Sequence, residues 1–143
     1  MMAGRVLGLD LGEVRVGVAL SDELRMTANP LCQLDRKRDL LGELERLVKE
    51  HGVMEIVVGL PLNMDGTAGP AAAAAEEFAQ ALRERLELPV ATFDERLSTV
   101  AAERALLEAD LSRAKRKKLR DKISAAIILQ SYLAFMESGS SNE

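Results

Sequence analysis

Residues 5–22, RVLGLDLGEVRVGVALSD, carry the reading on which the rest of the fold hangs. Residues 5–10 and 14–20 are short apolar runs flanked by glycine and charge, the pattern of β-strands. GEVR between them is short enough for a hairpin, so the two strands are expected as antiparallel neighbours. The first run stops on a single carboxylate, Asp10, and the chain folds straight back beside it.

Working outward, residues 28–34 give a third, weaker strand. Asp35 is expected to cap a helix running to about His51, because Leu40, Leu41, Leu44, Leu47 and Val48 fall on one helical face and Gly52 stops it. MEIVVGLP (54–61) is a continuous apolar run, as in a strand covered on both faces. LNMDGTAGP is a turn-rich loop, and Pro70 suits the first turn of a helix through AAAAAEEFAQALRERL. PVATFD (89–94) is another strand. Ser98 or Thr99 is expected to cap a helix to about Ala109, and a basic loop then leads into a last helix, roughly Asp121 to Met136. The order β-β-β-α-β-α-β-α-α predicts a mixed α/β sheet of five strands with helices on its faces. Residues 1–137 read as one domain and 138–143, ending SGSSNE, as a flexible tail.

The chain has 143 residues, 48% of them apolar and 29% charged, ordinary values for a globular domain. Its one cysteine, Cys32, excludes an internal disulfide and a cysteine-based zinc site. No run of 18 apolar residues and no signal-like start is present, so a cytoplasmic protein with no membrane partner is expected. The net charge is −4, yet SRAKRKKLRDK (112–122) sets seven cations against Asp121 alone. A local field of that sign holds a polyanion whatever the global sum. A solvated basic face is the plain alternative.

In a mixed α/β sheet, ligands gather beyond the carboxyl ends of the parallel strands. Asp10 lies at the end of the first strand, Asp94 and Glu95 at the end of PVATF, and Asp121 at the start of the final helix. Clustered carboxylates repel, and a divalent cation removes the repulsion. Mg²⁺ or Mn²⁺ suits all-oxygen donors, and one or two such ions activate water and stabilise an in-line phosphodiester displacement. Each acid taken alone is more often an ordinary turn former or helix cap than a ligand.

GLDLGEVRVGVALSD, VVGLPLNMDGTAGP, FDERLST and DKISAAIILQSYL, taken in order from residue 8 to residue 133, resemble the YqgF family of RuvC-like proteins with a ribonuclease H-type fold. The resemblance implies a ribonuclease H-like mixed five-stranded sheet flanked by helices on both faces. It also implies a metal-dependent nuclease of structured nucleic acid. Family members are described either as Holliday-junction resolvases or as nucleases maturing the 5′ end of precursor 16S ribosomal RNA. By position, Asp10, Glu95 (within DER) and Asp121 match the family's catalytic, metal-holding acids, with Asp94 a neighbour or alternate ligand. One departure stands out. Ribonuclease H-type folds commonly carry an acid at the end of the fourth strand, where this chain has Gly59-Leu60-Pro61, so Glu95 must reach across from the next strand.

Other polar groups acquire roles beside those acids. Asn63, Thr67 and backbone N–H groups of the 63–69 loop either hold a phosphate at the following helix N-terminus or simply build the turn at Asp65-Gly66. Arg15 and Arg96 are candidate phosphate contacts or salt-bridge partners. Arg113, Lys115, Arg116, Lys117 and Lys118 are candidate contacts to a nucleic-acid backbone. Aromatic residues make up only 3% and tryptophan is absent, so duplex shape rather than base stacking is the expected recognition mode. The family resemblance, and no residue of the chain, makes precursor ribosomal RNA the preferred substrate, and a monomer or homodimer is expected to act on it. A four-way DNA junction, a non-catalytic nucleic-acid-binding role, and nucleotide binding of the actin-like kinase type, which LGLDLG also resembles, are the alternatives.

Overall fold

The computed structural model describes the backbone of residues 4–98 and 113–141 and the side chains of 4–98 and 123–137. The opening stretch forms the expected hairpin. β1 (Arg5–Leu11) and β2 (Arg15–Ser21) pair antiparallel with Asp10 opposite Gly17, and the Gly12 amide donates to the Arg15 carbonyl to close the turn. β3 (Ala28–Asp35) extends the hairpin antiparallel to β2 and forms an edge. Pro30 sits there beside a register shift, as proline on an edge strand does. β4 (Val53–Leu60) and β5 (Val90–Asp94) add parallel to β1, giving the order β3-β2-β1-β4-β5. The crossovers are α1 (Leu40–His51) and α2 (Pro70–Leu86).

Strand alternation sorts the core into two layers. Leu7, Leu9, Val16, Val18, Ile56, Val58 and Val90 face α1 and α2, where Leu44, Leu47, Ala75, Ala79 and Leu82 meet them. Val6, Ala19, Val57 and Phe93 face α3 (Arg113–Ser141), whose Ala125, Ile128, Leu129, Tyr132 and Leu133 are buried at helical spacing. Ile128 and Leu129 are fully buried, each contributing about 1.5–3 kcal/mol. α3 lies tight on the sheet because Gly8 has no side chain: a Cβ there would stand 2.8 Å from the Leu129 Cβ and 3.3 Å from the Ala125 carbonyl. Gln130 ties α3 to the sheet edge, accepting from the Ala28 amide and donating to the Met26 carbonyl.

Two expectations are corrected. α1 is capped by Asp39, whose Oδ1 accepts from the Gly42 amide at 3.1 Å, and not by Asp35. Asp35 is still paired with Arg15 in β3, and its carboxylate accepts from the Lys37 amide in the turn that follows. The final helix begins at Arg113, not Asp121, and runs to Ser141. Lysine, arginine, leucine and alanine are all good helix formers, so the basic segment is helical rather than a loop and Asp121 lies inside the helix. The helix expected from Ser98 or Thr99 to Ala109 lies outside the described residues.

Candidate active site

The carboxyl ends of β1, β4 and β5 meet at one edge of the sheet, and the candidate acids are there. Asp10 shares the α3 face of β1 with Val6 and Gly8, since Leu7, Leu9 and Leu11 point to the opposite layer. β1 and β4 pair Leu9 with Val58, and continuing that register brings Asp10 beside Gly59.

Glu95 arrives from the far side of β4. It opens a single 3₁₀ turn, Glu95–Leu97, directly after β5. From there its side chain crosses to Gly59, where Oε2 lies 3.0 Å and Cδ 3.3 Å from the point a Cβ would occupy. The Cβ of Asp10 stands about one strand spacing, ~4.8 Å, from that same point. The missing side chain of Gly59 is thus the seat of the Glu95 carboxylate. Both acids are partly exposed. They form an all-oxygen donor pair on one face, the chemistry a hard divalent cation requires. Among the described residues no group of three potential ligands assembles, and the third candidate, Asp121, has its side chain outside them. Position 121 falls in α3 four residues, about one helical turn, before Ala125. Ala125 lies over Gly8, two residues before Asp10 on β1, so one further turn of α3 is level with Asp10.

The turn that carries Glu95 is held from several sides. The Asp94 Oδ1 accepts from the Arg96 amide at 2.9 Å, and the Glu95 carbonyl accepts from both the Ser98 amide (3.1 Å) and the Ser98 hydroxyl (2.7 Å). The Arg96 guanidinium grips Asp94 through Nε (3.1 and 3.0 Å to the two oxygens) and Nη2 (2.7 Å). Those bonds hold the Asp94 carboxyl below its usual range. Asp94 follows Phe93, which faces α3, so alternation turns Asp94 away from the Asp10–Gly59 face.

The other candidates fall into two groups. Arg15 is exposed, and it shares the face of Gly17 and hence of Asp10. Asn63 and Thr67 bond each other across their loop: the Asn63 amide donates to Thr67 Oγ1 (3.0 Å), and that hydroxyl donates to Asp65 Oδ1 (2.6 Å). The Thr67 bonds draw the Asp65 carboxyl below its usual range. This is turn chemistry, one of the two readings left open by the sequence. The side chains of Arg113, Lys115, Arg116, Lys117 and Lys118 lie outside the described residues, while their backbone forms the first turns of α3. Sequence reasoning missed Gly59 as a seat and Ser98 as the clasp on Glu95. The only signal for the first was the absence of an acid where the wider fold carries one.

A family model described as RuvX, Holliday junction resolvase, matches residues 4–135. The chain belongs to the RuvX family. Two curated relatives agree over nearly their full lengths. One from Desulfitobacterium hafniense (strain DSM 10664 / DCB-2) is 51% identical over 132 residues, covering 92% of this chain and 93% of its own. One from Geobacillus kaustophilus (strain HTA426) is 56% identical over 133 residues, covering 90% and 96%. Both are named "Putative pre-16S rRNA nuclease". Among solved structures, Thermus thermophilus RuvC in complex with a Holliday junction substrate superposes with a TM-score of 0.60 at 10% identity, over 95% of this chain and 97% of the other. The RuvX chain therefore has the RuvC-like fold expected from its motifs. Among the described residues, no helix is long and apolar enough to cross a membrane.

Proposed function

We propose that this RuvX protein is a divalent-cation-dependent nuclease that trims the 5′ end of precursor 16S ribosomal RNA in the cytoplasm. One observation carries the reading: the Glu95 carboxylate lodges in the gap at Gly59, on the strand beside Asp10. The names of relatives at 51% and 56% identity support the choice of substrate.

Asp10, Glu95 and Asp121 would hold one or two Mg²⁺ or Mn²⁺ ions. Bound there, such an ion supplies Lewis-acid stabilisation of phosphate charge and lowers the pKa of water. The residues of the chain do the rest. Asp10 and Glu95, fixed by β1 and by the 3₁₀ turn, would present their oxygens to the cation from set positions on one face. Arg15, on the same face, neutralises an adjacent phosphate. The basic first turns of α3, Arg113 to Lys118, grip the backbone without reading sequence.

The test is cleavage of a labelled precursor 16S transcript and of a synthetic four-way DNA junction, with Mg²⁺, Mn²⁺ or EDTA. Wild-type protein cuts the transcript only with the cation, and Asp10→Asn and Glu95→Gln each lower the rate at least 100-fold with the fold intact. The description of the family model favours a second reading, junction resolution, which needs two sites related by symmetry. Junction cleavage by a dimer with the transcript left whole selects that reading. Cleavage of neither, or cleavage indifferent to EDTA, removes both.

A further inference from the structure

Arg96 stands next to the proposed ligand Glu95, and a guanidinium beside a nuclease site suggests a phosphate contact. Its bonds in the structure point inward. Nε and Nη2 are spent on both oxygens of Asp94, and Nη1 donates to the Met64 carbonyl at 3.2 Å. Met64 belongs to the loop between β4 and α2, which is cross-braced by the Asn63 amide to the Thr67 carbonyl, Gly66 to Asn63, and Thr67 to Asp65. The guanidinium lies against Gly66 of that loop, 3.6–3.7 Å from the point of a Cβ there. Arg96 thus joins two segments that the chain separates by some thirty residues, the loop after β4 and the turn after β5. Glu95 lies between the two halves of the clamp, Asp94 before it and Arg96 after it.

We propose that Arg96 is a positioning residue, which through Asp94 and the Met64 carbonyl sets where the Glu95 carboxylate stands against Asp10. Glu95 reaches from the end of β5 onto the neighbouring strand to find its seat, and a carboxylate at the end of that reach keeps its place only if its base is fixed. Asp94 and the Ser98 clasp fix the turn within itself. Pairing of Leu60 with Asp94 sets where the turn leaves the sheet, and the bond from Arg96 to Met64 ties the turn to the loop that follows β4, the strand that carries the seat. Lysine at 96 keeps the charge but loses the planar fork that engages Asp94 and Met64 together.

The proposal rests on the nuclease reading, and its test separates the two. Arg96→Lys, Arg96→Ala, Asp94→Asn and the double variant Asp94→Asn/Arg96→Ala are compared with wild type in three measurements. These are Mn²⁺ binding by calorimetry without nucleic acid, kcat and KM on the precursor transcript, and the dependence of binding on salt. Loss of a partner that orients a metal ligand typically costs 10–100-fold. Each single variant is therefore expected to weaken Mn²⁺ binding and lower kcat about 10–100-fold, with KM and the salt slope unchanged. The double variant is expected to be no worse than Arg96→Ala, because the two residues act as a unit. Arg96→Lys decides the matter should Arg96→Ala fail to fold. A raised KM with a salt slope smaller by about one and an unchanged kcat overturns the proposal and makes Arg96 a phosphate contact. Unchanged Mn²⁺ affinity in Arg96→Lys also overturns it, even if wild type proves to cleave nothing.

Discussion

Replacing Gly59 by alanine puts one methyl group into the space the Glu95 carboxylate uses, and the structure says how far the carboxylate must retreat. The new Cβ stands 3.0 Å from Glu95 Oε2, and ordinary contact begins at 3.4 Å, so the oxygen must give by about 0.4 Å. Metal–ligand distances tolerate about ±0.2 Å, and displacements near 1 Å at a reacting centre cost about 100-fold. A retreat of that size should lower kcat and weaken Mn²⁺ binding roughly tenfold, about 1.4 kcal/mol. The same methyl also meets Ile128 Cδ1 at 2.9 Å in the core. Overpacking costs about 1–3 kcal/mol, partly offset by about 0.5–1 kcal/mol because alanine loses less backbone entropy than glycine in a strand. Melting should therefore fall by a few degrees, and that loss must be separated from the effect on the site. Trimming Ile128 to valine does so, since it removes Cδ1 and leaves the carboxylate clash in place. In Gly59→Ala/Ile128→Val the melting temperature should recover while single-turnover cleavage and Mn²⁺ affinity stay low. Recovery of activity together with stability, or full activity in Gly59→Ala alone, would show that the gap at Gly59 is not what seats Glu95.

Three further outcomes follow from the same geometry. Moving the acid onto the seat, Gly59→Asp in a Glu95→Ala background, should restore Mn²⁺ binding to within about tenfold of wild type, whereas Glu95→Ala alone lacks it; calorimetry reads this directly. Changing Lys115, Arg116, Lys117 and Lys118 to alanine should flatten the slope of log binding against log salt by about three, from roughly 0.7–0.9 per phosphate contact, with Mn²⁺ affinity untouched. At the opposite pole, the Tyr132 hydroxyl donates to Glu55, which also pairs with Arg25 at 2.8 Å, and burial with that bond pushes the Tyr132 pKa above its usual 10. A raised folded pKa makes the contribution full below about pH 10 and lost as pH climbs through the folded value. Tyr132→Phe should cost about 1.5 kcal/mol at pH 7 and flatten the alkaline limb of a stability–pH curve, measured by urea unfolding.

What the chain reveals on its own depends on how local the deciding physics is. The strands are readable in the sequence because each is a short apolar run punctuated by glycine, proline or charge, whereas their order in the sheet and the face of β1 that carries Asp10, opposite Leu9 and Leu11, come from the packing. The sequence alone does not decide the cap of α1, because Asp35 and Asp39 are both good caps ahead of the same apolar stripe. The choice between them lies in how long β3 keeps pairing with β2, which is a tertiary fact. The basic segment is helical and not the expected loop, because its lysines, arginines and leucine favour a helix once Ala125, Ile128 and Leu129 anchor the rest of α3 against the sheet. At the site, the residue types were visible and their division of labour was not. DER in sequence offers two acids and a cation that look interchangeable. Strand alternation turns Asp94 away from Asp10, the 3₁₀ turn sends Glu95 onto β4, and the fork of Arg96 pairs with the acid that does not reach the site. A carboxylate borrowed from a neighbouring strand needs both an empty place to arrive at and a braced base to leave from. Gly59 supplies the first and Arg96 the second, so changing either should disturb the same oxygen atoms from opposite ends.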